Sequence, residues 1–368
     1  METRPGLVST ILPVYNRAAE LREAADTVFA QTYRNLELII IDDGSTDDTS
    51  AVADAIAAEH PELVRVIHQP NAGVGPAREA GRLAARGEFI QHLDSDDLLY
   101  PRKFELQVAG LQAHPECGAS YGWTREHLPD GRLLETPARR TGERVESMFP
   151  AMLQSRWWHT ITPLFRASLL GRAGAWLPLR NEEDWEYDAR IASLGVRLHY
   201  CDQWIAEVRH HHRDRLSALG MQPDVLRDRA RAHALILEHA RRAGIGVETP
   251  EMKHYARELF LLARQCGDAG LPHDVGQPDD GDQRGVLEQD QPEVRQAGKG
   301  DADKLRQDHQ PHGLAVAQPD RIAALVLAAR DGAEGRQEDL AGIGREDHAQ
   351  RNHARDEGID RHAAGIAE

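Results

Sequence analysis

The chain has little cysteine, no long apolar run and a shortage of positive charge. Its three cysteines, Cys117, Cys201 and Cys266, lie far apart and form neither a metal-ligand spacing nor a disulfide framework, which points to a reducing compartment. No uninterrupted apolar stretch approaches the roughly 20 residues that span a bilayer. The opening Met1-Glu2-Thr3-Arg4-Pro5-Gly6 also lacks the apolar centre of a signal peptide. A cytoplasmic protein is expected, with peripheral membrane association left open. Against 60 acidic residues there are 44 Lys and Arg, a net charge of −16 that argues against nucleic acid as the main partner. A small anionic ligand held through a metal fits that balance. From Pro272 to Glu368 there is no Phe, Trp or Tyr, and Gly, Gln, Asp, Arg and His dominate without an apolar period, apart from Ile322-Ala323-Ala324-Leu325-Val326-Leu327. Such a composition cannot bury enough surface to offset chain entropy. Residues 271–368 are therefore expected to be a disordered tail, or the product of a reading-frame change.

What the chain does have is acid gathered at strand ends. Glu88-Phe89-Ile90-Gln91-His92-Leu93 reads as a buried strand and stops in Asp94-Ser95-Asp96-Asp97, three carboxylates within four positions. Like charges this close repel, and a hard divalent cation with oxygen ligands, Mg²⁺ or Mn²⁺, relieves the repulsion. Magnesium rarely takes a full protein cage and completes its shell with water and substrate phosphates, so the Asp-X-Asp unit predicts a diphosphate as well as a metal. A solvated acidic turn is the competing reading of these residues.

In order, Leu7-Val8-Ser9-Thr10-Ile11-Leu12 predicts a strand halted by Pro13, followed by a helix with Leu21, Ala25, Val28 and Phe29 on its sheet-facing stripe. Glu37-Leu38-Ile39-Ile40-Ile41 is apolar on both faces, as a central parallel strand is, and ends in Asp42-Asp43-Gly44. A helix through Val52 and Ile56, a strand at Leu63–Ile67 and a helix opened by Asn71–Pro76 and carrying Arg78 come next. This succession predicts an α/β fold, an open, mostly parallel Rossmann-like sheet flanked by helices, with ligands beyond the carboxyl ends of the strands. Later segments predict a helix from Pro101 towards His114, a strand at Ala119–Trp123, a helix begun by Asn181–Glu186 and closed by Gly195, and an alternating strand from Val196. Two further helices fall between Asp224 and Cys266, broken near Ala243–Gly246. The expected organisation is a main domain over 1–220, with halves of about 1–120 and 121–220, a helical appendage over 221–270, and the tail.

Several of these segments, taken together, are familiar. Val8-Ser9-Thr10-Ile11-Leu12-Pro13-Val14-Tyr15-Asn16, Glu37–Asp47, Asn71-Ala72-Gly73-Val74-Gly75, Ala77-Arg78, Gly87–Ile90 and Leu93–Asp97 resemble the family 2 glycosyltransferases of GT-A fold. The likeness is dense from Leu7 to Pro101 and resumes at Glu183-Asp184-Trp185. It implies an inverting, metal-assisted transfer of a sugar from a nucleoside diphosphate sugar to a saccharide or lipid-linked acceptor. By the same resemblance Pro13, Tyr15 and Asp43 hold the base and ribose, Arg78 meets the nucleotide or its phosphates, Asp94 and Ser95 lie near ribose and ring, Asp96 binds the metal and Asp184 is the catalytic base. Each has a structural rival: Asp43 as a helix cap, Tyr15 as packing, Arg78 as an ion-pair partner, Asp184 as one of three acids favouring a helix start. Trp157, Trp158 and Trp185 read as acceptor pocket or as core, and His210-His211-His212 as a metal or phosphate contact or as a solvent-facing cluster. The rival functions are a nucleotide-sugar hydrolase or nucleotidyltransferase, and a nucleotide-sugar-binding module without turnover.

Overall fold

The computed structural model describes residues 3–210 and 222–271. The expected tail from 272 onward, together with His211 and His212, lies outside the described residues. One mixed eight-stranded sheet runs through the domain, built from β1 (Arg4–Val14), β2 (Leu36–Asp42), β3 (Val64–His68), β4 (Gly87–His92), β5 (Leu98–Leu99), β6 (Cys117–His127), β7 (Leu164–Arg166) and β8 (Arg197–Arg209). Its order is β3-β2-β1-β4-β7-β6-β8-β5. The pairs β1·β2, β2·β3, β1·β4 and β6·β8 are parallel, while β7 joins β4 to β6 antiparallel on both sides.

The parallel half folds as its apolar pattern requires. Along β1, Val8 and Leu12 face one core with α1 (Ala18–Phe29), α2 (Thr49–Glu59) and α4 (Lys103–Ala113), while Ile11 faces the other with α3 (Val74–Ala84). In β2, Leu38 and Ile40 point to the first core and Ile39 and Ile41 to the second, so both faces of the strand are covered. Pro13 does not halt β1. It sits buried within the strand opposite Ile41, past the point where the pairing of β1 with β4 ends at Ile11 and His92, so its missing N–H breaks no bond to β4.

The second core is the aromatic one. Trp157, Trp158, Tyr121 and Phe165 pack with α5 (Ala167–Ala173) and α6 (Glu183–Ala192). Beyond them, α7 (Pro223–Arg242) and α8 (Pro250–Asp268) contribute Ile236, Leu237, Met252 and Tyr255 to the same cluster. The helix pair is therefore seated on α6 through shared apolar surface. It is also tied there by polar contacts, His239 to Glu186 at 2.9 Å and Arg229 to Glu182 at 2.9 Å.

Candidate active site

The carboxyl ends of β1, β2 and β4 and the loop before α3 meet at one edge of the sheet, as expected of a parallel array. At the end of β2, both oxygens of Asp43 are engaged. Oδ1 accepts from Gln69 Nε2 at 2.7 Å and from the Ala72 N–H at 2.9 Å, and Oδ2 accepts from the Gly73 N–H at 2.8 Å. Asp43 is thus a buried brace for the loop that opens α3, not a helix cap. The neighbouring Gly44 has φ +74°, and a Cβ there would lie 2.6 Å from the Asn71 nitrogen, so only glycine lets the two loops approach. Asn16 fastens the β1 loop to the same turn, donating its N–H to Ser45 Oγ at 3.0 Å and accepting from the Thr46 N–H at 2.7 Å. Tyr15, 46% exposed, stands on this rim, while Pro13 is buried behind it.

Burial opposes the charge of Asp42, but hydrogen bonds from Ser45, Ser50 and His68 outweigh it and hold the carboxyl down at about 2. It anchors the turn from beneath.

The acidic loop after β4 divides by direction. Asp97 turns inward, where it accepts the Arg209 N–H at 3.0 Å, and burial together with the charges of Asp96 and Asp94 pushes its carboxyl well above the usual range. Ser95 is buried as well. Asp94 and Asp96 keep 29% and 23% of their side chains exposed, so these two carboxylates are the ones a ligand can reach. Asp96 pairs with Arg17, and its backbone carbonyl accepts from Arg209 Nε at 2.6 Å.

Arg78, only 3% exposed, spans the site. Its Nη2 meets Asp94 Oδ1 at 2.7 Å, its Nη1 meets Glu183 Oε1 at 2.9 Å, and its guanidinium lies 4.9 Å from the Trp176 ring centre. Two residues 89 positions apart, Asp94 and Glu183, are thereby bound to one cation. At the start of α6, burial and the neighbouring Asp184 push Glu183 upward despite Arg78. Burial acts on Asp184 too, but Arg156, Arg78 and Arg139 outweigh it and hold Asp184 below the ordinary carboxylate range. Asp184 keeps 27% of its side chain exposed against 11% for Glu183.

Trp157 and Trp158 are fully buried core residues, and Trp185 donates its indole N–H to the Met152 carbonyl at 2.9 Å. His210 Nε2 lies 3.6 Å from Glu126. Among the described residues no group of three or more His, Cys, Asp or Glu side chains is arranged to hold a metal. Asp94 and Asp96 are hard oxygen donors with a cation, Arg17, already attracted to them, so they fit a metal that takes its remaining ligands from water and a diphosphate. The sequence pattern missed Arg17, Arg156 and Arg209. Only Arg17 carried a signal, its place directly after Asn16.

The comparisons agree with this architecture. The family model "Glycosyl transferase family 2" matches residues 9–168. The glycosyltransferase YibD of Escherichia coli (strain K12) is 34% identical over 163 residues, 42% of this chain and 46% of that protein. The glycosyltransferase EpsJ of Bacillus subtilis (strain 168) is 26% identical over 285 residues, 73% of this chain and 81% of that one. The chain spans less than half the length of the first curated relatives it matches, 14% of one and 46% of another. Among solved structures, residues 1–349 of S. aureus TarS with UDP-GlcNAc superpose with a TM-score of 0.52 at 17% identity, covering 73% of this chain and 82% of that chain. That likeness is one of fold. Over residues 9–168 the chain is similar to the family 2 glycosyltransferases, and its mixed α/β sheet flanked by helices has the GT-A architecture. No helix among the described residues is long and apolar enough to cross a membrane.

Proposed function

We propose that the chain transfers a sugar from a nucleoside diphosphate sugar to an acceptor hydroxyl with inversion, in the synthesis of a polysaccharide, glycolipid or cell-surface glycan. The observation that carries this reading is the Arg78 strut, which joins the Asp94 loop to Glu183 beside Asp184. It supports a single site with donor carboxylates on one wall and a base on the other. Tyr15 faces the base and ribose on a wall that Pro13 and Asp43 hold in shape, Asp94 beside the buried Ser95 meets the ribose and ring, and Arg78 keeps the donor loop in place. Asp96 holds Mg²⁺ or Mn²⁺, which when bound neutralises the charge of the leaving diphosphate. The buried, unpaired thiols of Cys117, Cys201 and Cys266 support a reducing, cytoplasmic setting.

A base must be ionised to accept a proton, and the environment keeps Asp184 ionised while favouring the neutral form of Glu183. Asp184 therefore takes the acceptor's proton as the new glycosidic bond forms and the bond to the diphosphate breaks. Charge on the sugar is oxocarbenium-like, as in glycoside hydrolysis.

The test is to incubate the protein with a panel of nucleotide sugars, Mn²⁺ and candidate acceptors, and to determine the products and their anomeric configuration. An inverted glycosidic product is expected. Asp184→Asn should lower turnover by about 10²–10⁴-fold with donor affinity nearly preserved, and Glu183→Gln should be milder. Free sugar without an acceptor would instead make the protein a hydrolase, and binding without turnover a binding module.

A further inference from the structure

Asp184 and Asp188 lie one turn apart on α6, where like charges repel. Arg156, from the segment before β7, is wedged between them. Its Nη1 meets Asp184 Oδ2 at 2.7 Å, its Nε meets Asp188 Oδ2 at 2.7 Å, and its Nη2 donates to Thr160 Oγ1 at 3.2 Å. The Thr160 hydroxyl in turn donates a hydrogen bond to the same Asp184 Oδ2 at 3.3 Å. The same Oδ2 of Asp188 also accepts the Trp158 indole N–H at 2.8 Å. The backbone carbonyls of Arg156 and Trp158 are pinned by one nitrogen of Arg139, at 2.6 and 2.8 Å. With a tenth of its side chain exposed, Arg156 has little room to move.

This arrangement is more than an ion pair. A guanidinium can hold two carboxylates at fixed angles because its donors form a rigid fork, which an ammonium cannot reproduce. Two donors converge on Oδ2 of Asp184, while part of that carboxylate remains exposed at the site. Asp188, with 4% of the residue exposed, reaches no ligand and serves as the anchor.

We propose that Arg156 is a positioning residue for the base: it fixes Asp184 through Oδ2, directs the remaining lone pairs toward the acceptor, and is itself aimed by Asp188 and Thr160. The inference rests on the reading of Asp184 as the base. The charged groups facing Asp184 are Arg78 from α3, Arg139 and Arg156 from the segments before and after residue 150, and Glu183 and Asp188 on its own helix. Arg156 is the one in direct contact with it, so the two anchors predict opposite signs. Losing Arg156 removes an attraction for the ionised Asp184, whereas neutralising Asp188 removes a repulsion and leaves Arg156 to Asp184 alone.

The experiment is the pH dependence of turnover with the nucleotide sugar found active in the panel, for the parent, Arg156→Gln, Arg156→Lys and Asp188→Asn, each with its donor KM. In Arg156→Gln the acid limb should move up by about one pH unit or more, with the donor KM within about twofold. Arg156→Lys should recover part of the shift but not the full rate, and Asp188→Asn should move the acid limb down. An acid limb that stays in place in folded Arg156→Gln, or that moves the same way in Asp188→Asn, overturns the proposal. If Arg156→Gln does not fold, Arg156→Lys and Asp188→Asn decide alone. Full turnover in Asp184→Asn would instead remove the base assignment, a failure of the underlying reading that this series tells apart.

Discussion

The guanidinium of Arg17 forms an ion pair with the carboxylate of Asp96, the side chain to which the metal is assigned. Arg17 therefore occupies the electrostatic place of a cation. A metal arriving without nucleotide must displace it, with only Asp94 and Asp96 to offer in return. Arg17→Gln should bind Mn²⁺ about two- to fivefold more tightly in the absence of nucleotide, the worth of an exposed ion pair of up to ~1 kcal/mol. Titration of free Mn²⁺ by electron paramagnetic resonance reads this directly. Unchanged or weaker binding would show that Arg17 does not compete.

Arg78 is a buried cation shared by Asp94 and Glu183. Removing it leaves two carboxylates uncompensated, a change that costs about 3–5 kcal/mol for a buried pair. Arg78→Met should therefore lose stability by that amount in urea unfolding, and Arg78→Lys should recover only part, since one ammonium cannot reach both partners in the same geometry. A loss below about 1 kcal/mol, typical of a surface pair, would mean the strut carries no weight.

Gly75, in the first turn of α3, has no space for a side chain: a Cβ would stand 2.4 Å from the Leu177 carbonyl oxygen. Gly75→Ala should cost about 1–3 kcal/mol, as overpacking does. It should also disturb Asp184, because the Leu177 segment runs into α6. Gly246→Ala, where nothing lies within 4 Å, is the control and should be close to neutral.

Asp42 gives the acid side of stability a sign. Its folded value of about 2 lies below its ordinary 3.8, so its contribution is complete above pH 4 and disappears as pH falls towards 2. Asp42→Asn should be less stable than the parent by on the order of 2 kcal/mol at pH 7, with the gap closing between about pH 4 and pH 2. A gap independent of pH would assign the loss to packing.

Much of the fold could be read from residues alone because the parallel strands are apolar on both faces and end in acid or glycine. Leu38-Ile39-Ile40-Ile41 leaves little choice but a central strand. Leu164–Arg166 carries no such pattern. It is only three residues long and becomes a strand because Ile90 and Ala119 both pair with Phe165. Pro13 misled for a related reason, since a proline ends a strand only where a neighbour needs its N–H. The carboxylates of the site were visible as clusters and Arg78 with them, but the other cations that aim them were not. Arg209 reaches Asp96 across 113 positions, and Arg156 reaches Asp188 across 32, separations that leave no local trace.

The seating of α7 on α6 has a consequence for synthesis. The strands that carry the Asp42 turn and the Asp94 loop are made by His92, well before the partners β7 and Arg209 that complete their edge. The helix bearing Asp184 is made later and still lacks Ile236, Leu237 and His239, which close its outer side, until another fifty residues have emerged. The residues that close the outer side of α6 thus follow the helix itself in synthesis, so Asp184 is firmly seated only once α7 has emerged and folded against it.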